Sequence, residues 1–292
     1  MHSSDQVRIA HISDLHFGRP TFNPLQFFSK RWLGNLNLLL TRQHQFDHTR
    51  LDTLLDLFDR EGVTHVAITG DLSVTSRRRE FHIAKEFVEK IRVAGMTPMV
   101  IPGNHDQYTK RAYQRQLFYR FFPSKWDSEF PFDLSKDKLT GMALSEDLWF
   151  LALDTALATS LISSQGMFSE SIEQSLEKAL EAIPKSARII LLNHFPFFQH
   201  DPKIKQLLRA PALKSLLQRH RNVRLYMHGH THRQTLADLA TSNLPIISDS
   251  GATVHRSHGA CHIITPGKDA VDIAVFLYED QWTKKDAKNF RW

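Results

Sequence analysis

Five short apolar runs, each stopping abruptly at an Asp, Asn or His, constrain this chain more than any other feature. The first is Arg8-Ile9-Ala10-His11-Ile12-Ser13-Asp14-Leu15-His16-Phe17-Gly18. Its apolar part is too short for an ordinary helix and it ends in a polar turn, as a buried strand of an α/β sheet does. Asp14 and His16 stand two residues apart. In an extended segment, side chains at i and i+2 point the same way. A carboxylate oxygen and an imidazole nitrogen are therefore expected to face one point beyond the strand end, where open α/β sheets bind their ligands.

One Asp-x-His is a weak signal. The pattern gains weight because it recurs. Val63–Leu72 ends in Gly70-Asp71, and Met99–Asp106 ends in Gly103-Asn104-His105-Asp106. Ile189–Pro196 ends in Asn193-His194, and Leu225–His232 ends in His228-Gly229-His230-Thr231-His232. Ligand-type side chains on the ends of separate strands of one sheet converge on one site. Between the first three runs lie amphipathic segments. Asp47–Arg60 turns Leu51, Leu54, Leu55 and Phe58 to one side, and Ser76–Ala94 does the same with Phe81, Ala84, Phe87, Val88 and Ile91. Strand, helix, strand, helix, strand predicts a parallel core with right-handed crossovers.

The order Asp-x-His, Gly-Asp, Gly-Asn-His-Asp, His, Gly-His-x-His resembles the calcineurin-like metallophosphoesterases, over most of the chain and with no family ligand position substituted. The resemblance implies an α/β fold, a metallophosphoesterase-type β-sandwich of two stacked mixed sheets flanked by helices. It implies two divalent metal ions. Asp14, His16, Asp71 and His232 would hold one, and Asp71, Asn104, His194 and His230 the other, with Asp71 bridging. His105 would stabilise the transition state or protonate the leaving oxygen, with Asp106 orienting it. Such a pair of ions generates a bridging hydroxide and clamps the phosphoryl oxygens for in-line attack. Hard carboxylate and imidazole without thiolate suit Mn²⁺ first, then Fe or Zn²⁺. One departure stands out: many relatives carry a histidine where this chain has Asn193.

The 292 residues suffice for one large α/β domain, and no Pro/Gly/Ser-rich linker divides them. Two segments read as cap-like additions, near 25–46 and 108–132. In the first, Leu25, Phe28, Trp32, Leu36 and Leu39 space an amphipathic helix over Leu25–Leu40. That helix packs on the domain or meets a lipid surface beside the site. In the second, a helix is expected from Thr109 to Phe121, with aromatics that either roof the site or join the core. Arg77-Arg78-Arg79 reads as a solvated helix end, with phosphate recognition as its alternative. Leu148–Asp154 reads as a strand, Ser169–Ala182 as a helix, and Ile246–Gly251 and Cys261–Leu277 as closing strands. Gln281–Trp292 reads as a polar tail, partly ordered.

The single cysteine, Cys261, excludes an intrachain disulfide and reads as a small buried hydrophobe. The N-terminus lacks a signal peptide's basic and apolar regions, and no apolar run spans a bilayer. The expectation is a cytoplasmic protein, with peripheral membrane contact through Leu25–Leu40 as an open alternative. The net charge of +6 attracts phosphates without choosing among them.

The expected activity is hydrolysis of a phosphodiester or pyrophosphate bond in a nucleotide, lipid head group or other phosphorylated small molecule. A phosphomonoesterase or protein phosphatase and a nuclease are the alternatives. No DNA-capping domain or coiled coil supports a specific nucleic-acid partner. A scaffold without catalysis ranks last, since no ligand position is lost.

Overall fold

The structure, a computed structural model, describes residues 7–18, 45–159, 163–198 and 201–292. The expected Leu25–Leu40 helix lies outside the described residues. In chain order the first half holds β1 (Ile9–Ile12), α1 (Arg50–Arg60), β2 (His65–Ile68), α2 (Arg78–Val93), β3 (Thr97–Val100), α3 (Lys110–Gln114), β4 (Leu139–Ser145) and β5 (Leu148–Leu153). The second half holds β6 (Gly166–Met167), α4 (Glu170–Ala182), β7 (Arg188–Leu192), β8 (Leu207–Leu208), α5 (Ala210–Arg219), β9 (Val223–His228), β10 (Gln234–Ala237), β11 (Ile246–Ser250), β12 (Ala260–Pro266), β13 (Ala270–Tyr278) and β14 (Trp282–Arg291).

Two six-stranded sheets result, ordered β14-β13-β12-β1-β2-β3 and β10-β11-β9-β7-β5-β4. In the first, β1, β2 and β3 run parallel and β12 to β14 antiparallel. In the second, β5, β7, β9 and β11 are parallel, with β4 and β10 as antiparallel edges. Both sheets are mixed, they stack, and helices cover their outer faces, as the resemblance implied.

Strand alternation explains the stacking. Along β7, Ile189 and Leu191 join the core under α4 and α5, while Ile190 and Leu192 join the layer between the sheets. Along β1, Ala10 and Ile12 face α1 and α2 while Ile9 faces the other sheet. A strand buried on both faces shows no polar alternation, so these runs read as continuously apolar. On α4, Ser169 caps the N-terminus by accepting from the Ile172 amide, and Glu170 and Glu173 lie in the first turn. Both features favour the positive end of a helix. Its Ile172, Leu176, Ala179 and Leu180 form the buried face.

Three expectations are corrected here. Gln281–Trp292 is not a loose tail: Trp282–Arg291 pairs with β13 along its length as an edge strand. Trp282 is buried, and its indole N–H donates to the Arg50 carbonyl at 3.3 Å. The polar outer side chains hid a strand anchored by one aromatic. The Thr109–Phe121 helix is broken. Thr109 does cap α3, but the helix ends at Gln114, Gln116 takes φ 48°, and a single 3₁₀ turn follows at Phe118–Arg120. That left-handed kink sends Leu117, Phe118 and Phe122 into the core beside Phe81. Lastly, Cys261–Leu277 is two strands, β12 and β13, split by a turn at residues 267–269.

Candidate metal centre

Five strands deliver the site, and they come from both sheets rather than from the one sheet expected. β1, β2 and β3 lie side by side in one sheet, and β7 and β9 lie side by side in the other, with their C-terminal loops at one end of the sandwich. Backbone bonds lock those loops together. The amides of Asp14 and His16 donate to the carbonyls of Gly70 and Asp71 at 3.1 and 2.9 Å, and Gly229 N donates to His194 O at 3.1 Å. Across the sheets, His230 N donates to the Asp14 carboxylate at 3.0 Å.

The convergence of Asp14 and His16 does not come from extended alternation. Both take positive φ, 54° and 48°, as do Asp71, His230 and His232. The left-handed region is unfavourable for residues with a Cβ, although Asp and His tolerate it better than most. Each such residue costs on the order of 1–3 kcal/mol, and such strain gathers at functional sites. Two glycines make the tight approach feasible. A Cβ on Gly103 would lie 2.5 Å from Asp71 N, and one on Gly229 would lie 2.5 Å from Asp14 Oδ2.

Donor atoms of Asp14, His16 and His232 lie within 4.8 Å of one another, and so do those of Asp14, Asp71 and His194. His16 Nε2 faces His232 Nε2 at 3.1 Å, and His232 Nε2 is 3.2 Å from Asp14 Oδ1. On the other side, Asn104 Oδ1 lies 3.2 Å from His194 Nε2 and 2.9 Å from His230 Nδ1. Asp71 Oδ2 stands between the two groups, 3.5 Å from His194 Nε2 and 4.0 Å from His16 Nε2.

The residues fit cations on two counts. Asp14 Oδ1 is fully buried and faces only imidazole nitrogens, His232 Nε2 at 3.2 Å and His16 Nε2 at 3.8 Å, among the described residues, a costly state for a carboxylate oxygen unless a cation meets it. The histidines are also pre-oriented. His194 Nδ1–H donates to the Thr69 carbonyl at 2.7 Å and His230 Nε2–H to the Lys205 carbonyl at 2.8 Å. A carbonyl can only accept, so in each ring it is the opposite nitrogen that faces the site and offers a lone pair to an ion once deprotonated. Burial opposes charge on Asp71, but His194, His105 and His16 around it hold its carboxyl well below the usual range. In turn burial disfavours a charged His194, yet the Asp71 and Asp14 carboxylates raise it to about 9.

His105 lies beside this cluster. Its donor atom is within 4.8 Å of those of His16 and Asp71, and its amide donates to Asp71 Oδ1 at 2.7 Å. The expected Asp106–His105 pairing is not found. Nδ1–H of His105 donates instead to the Val74 carbonyl at 2.7 Å, and the ring stacks on Tyr108. Asp106 is fully buried and accepts from Leu72 N, Ser73 N, Ser73 Oγ and Gly103 N. It ties the β2 and β3 exit loops together, a bracing role set by its four donors.

Several contributors were not legible in the sequence. The carbonyls of Thr69, Val74 and Lys205 orient three rings, and a backbone atom leaves no residue-type signal. Asn193, noted only as a departure, is a buried fastener. Its side chain accepts from Thr155 Oγ1 at 2.6 Å and donates to the Phe195 carbonyl and to Tyr226 OH.

A calcineurin-like phosphoesterase family profile matches residues 7–234. The chain belongs to the calcineurin-like phosphoesterase family. It is thus a metallophosphoesterase, a phosphoric ester hydrolase with candidate ligand clusters for a dinuclear centre. A dimetal phosphatase from Danio rerio superposes with TM-score 0.66 at 14% identity, covering 99% of each chain. Purple acid phosphatase PPD1 from yellow lupin seeds gives 0.61 at 15% identity, covering 99% of this chain and 54% of that one. GAP50, described as the anchor in the inner membrane complex of Plasmodium, gives 0.58 at 13% identity, covering 99% of this chain and 89% of its own. At such identities the likeness is one of fold, and one fold hosts many functions. No curated protein sequence matches the chain. Among the described residues no helix is long and apolar enough to cross a membrane.

Proposed function

We propose that this phosphoesterase cleaves a phosphodiester or pyrophosphate bond in a substrate with an organic group on the phosphate, such as a nucleotide or lipid head group. The observation that carries the reading is the placement of Asp71 Oδ2 between the His16/His232 and His194/Asn104 groups, where one carboxylate can serve two ions. Mn²⁺ is the first choice for this N/O donor set, with Fe or Zn²⁺ as alternatives. When bound, two such ions supply Lewis-acid polarisation of a phosphoryl oxygen and a nucleophile from water.

The chain's own part is positional. His105, held by Val74 and Tyr108, presents its Nε2 edge toward the cluster and, when protonated there, gives the departing oxygen its proton. Asn104 adds a donor oxygen without adding negative charge against an anionic substrate.

A diester or pyrophosphate is favoured by the cavity next to the His194 and His230 loops. It measures about 690 Å³ and is lined by Pro196, Phe197, Leu239 and Ile247, with Thr231 and Arg233 among its polar groups. An apolar space with a few polar groups suits an organic substituent. Contact of Leu25–Leu40 with a membrane surface belongs to the same proposal. Deleting that segment is expected to impair lipid substrates much more than a small aryl diester, and equal loss on both would reject the role.

The test is hydrolysis of bis-p-nitrophenyl phosphate against p-nitrophenyl phosphate, with Mn²⁺ and after chelation, beside Asp71→Ala and His105→Ala. Metal-dependent diester cleavage lost in both variants is expected. Preference for the monoester would replace the proposal with a phosphomonoesterase.

A further inference from the structure

Arg77-Arg78-Arg79 reads in the sequence as a solvated helix end. The fold gives it a second half. Arg77 and Arg78, at the start of α2, meet Arg111, Arg115 and Arg120 of the α3 region around a cavity of about 210 Å³, whose lining also includes Ala112 and Leu117. Among the described residues five arginines and no carboxylate line it. Glu80, the acid nearest along the chain, is buried at the start of α2, where its carboxylate lies near Arg77 and does not line the cavity. It accepts from Thr75 N, Thr75 Oγ1 and the Arg77 amide. Among the described residues Arg78, Arg111, Arg115 and Arg120 form no ion pair, while other surface arginines do, such as Arg92 with Glu89 and Arg209 with Glu170 and Glu173.

This clustering opposes two physical preferences. Like charges repel when gathered, and Glu80 answers only Arg77; Arg78 at the N-terminus of α2 also opposes the helix dipole, which favours anions there. A site that breaks local rules in this way is one where function is to be sought. An anion in the cavity relieves both conflicts, and guanidinium forks match phosphate oxygens.

The location joins it to the metal centre. Ser76 donates to the His105 carbonyl at 2.9 Å and accepts from Tyr108 N at 2.6 Å, while Val74 O takes the His105 ring proton. Arg77 is the next residue after Ser76, and α3 starts two residues after Tyr108. Both walls of the cavity thus lead directly out of the residues that hold His105. Its volume equals about seven waters at liquid density, room for a phosphate or pyrophosphate, and its guanidinium lining selects for the anion.

We infer that Arg77, Arg78, Arg111, Arg115 and Arg120 form a subsite for a second phosphoryl group of the substrate, beyond the one that reacts. This rests on the phosphoester hydrolysis proposed above and narrows its substrates to those with more than one phosphate. A free phosphate or pyrophosphate ion has the same chemistry, so the test separates the two sources.

In the first arm, pyrophosphate is titrated into the full chain after chelation, at low salt, for the wild type and for Arg111→Gln/Arg115→Gln. Chelation removes the metal centre as a competing site. Binding by the wild type, weakened about tenfold or more in the variant, is expected, since a charge-assisted hydrogen bond contributes about tenfold or more. Arg111→Lys/Arg115→Lys, which keeps the charge and loses the forks, should fall between. Circular dichroism checks that each variant is folded. No binding by the wild type, or equal binding by wild type and Gln variant, overturns the subsite.

In the second arm, the Mn²⁺-loaded proteins hydrolyse bis-p-nitrophenyl phosphate and a p-nitrophenyl ester of a nucleoside triphosphate. The Gln variant should raise KM about tenfold for the triphosphate ester and leave the bis-aryl diester unchanged. Unchanged KM on both, with pyrophosphate binding lost, overturns the substrate role and leaves a free-phosphate site. Should the wild type bind pyrophosphate and hydrolyse neither ester, the hydrolytic proposal falls while the anion site stands.

Discussion

Replacing Gly103 by alanine tests whether close approach of the β3 loop sets the metal ligands. Gly103 does not have positive φ, so an alanine backbone is permitted there and any penalty comes from contact alone. The added Cβ would lie 2.5 Å from Asp71 N and 2.8 Å from Asp71 Cγ, and closer still to Asp71 Oδ1. Reaching an ordinary contact of 3.4 Å from 2.5 Å requires a displacement of about 0.9 Å. The loops cannot share it easily, since Gly103 N is tied to Asp106 and Asp71 Oδ1 to the His105 amide. Overpacking of this kind costs about 1–3 kcal/mol. A displacement of about 1 Å in a reacting geometry costs about 100-fold in rate.

The assay is Mn²⁺-dependent diester hydrolysis beside thermal unfolding, with Gly62→Ala as the control. Gly62 has φ 65° and nothing within 4 Å of an added Cβ, so its replacement carries backbone strain without contact. Gly103→Ala should lose about 100-fold in kcat/KM, while Gly62→Ala loses only stability. Wild-type activity and metal content in Gly103→Ala would refute the reasoning.

Three further outcomes follow from the structure. In the metal-free protein His194 is raised to about 9 by the Asp71 and Asp14 carboxylates against the effect of burial. It is therefore protonated at neutral pH, and an ion must displace that proton. Affinity should rise with pH up to about 9 and level off above, with proton release seen by calorimetry in buffers of different ionisation enthalpy, and a flat profile would contradict it. Asp106→Asn puts an amide N–H₂ among four donors, so it should lower stability by about 1–3 kcal/mol. The pH dependence of kcat should stay unchanged in that variant, and a shifted profile would return Asp106 to the role of orienting His105. Trp282→Ala empties the buried anchor of β14 and should cost about 3–5 kcal/mol. At about 2 °C per kcal/mol the melting temperature falls by about 6 °C or more, and an unchanged value would mean that the last strand adds no stability.

The ligand residues were legible because each follows an apolar run that can only be a buried strand, and strand ends of one core meet. The reason they meet was not legible. Period-2 alternation was expected to aim Asp14 and His16 together, whereas left-handed kinks at both residues do so. Such kinks depend on neighbours brought from other strands, here the carbonyls of Gly70 and Asp71. The bracing role of Asp106 was hidden because its partners are mostly amides. β14 was hidden because an edge strand with one buried anchor has a polar sequence. The five-arginine cavity needed the Gln116 kink, which returns Arg120 toward Arg77 instead of carrying it along one straight helix. The two sheets, by contrast, followed from the alternation of strand and helix together with the family resemblance.

Counting bound ions tests the central claim most directly. The chelated chain is reloaded with Mn²⁺, freed of excess metal, and measured by elemental analysis as wild type and as Asp71→Ala. The account predicts two ions per chain in the wild type and loss of that pair when the shared carboxylate is removed. A wild type that binds no ion, or an Asp71→Ala protein that still holds two, would contradict it.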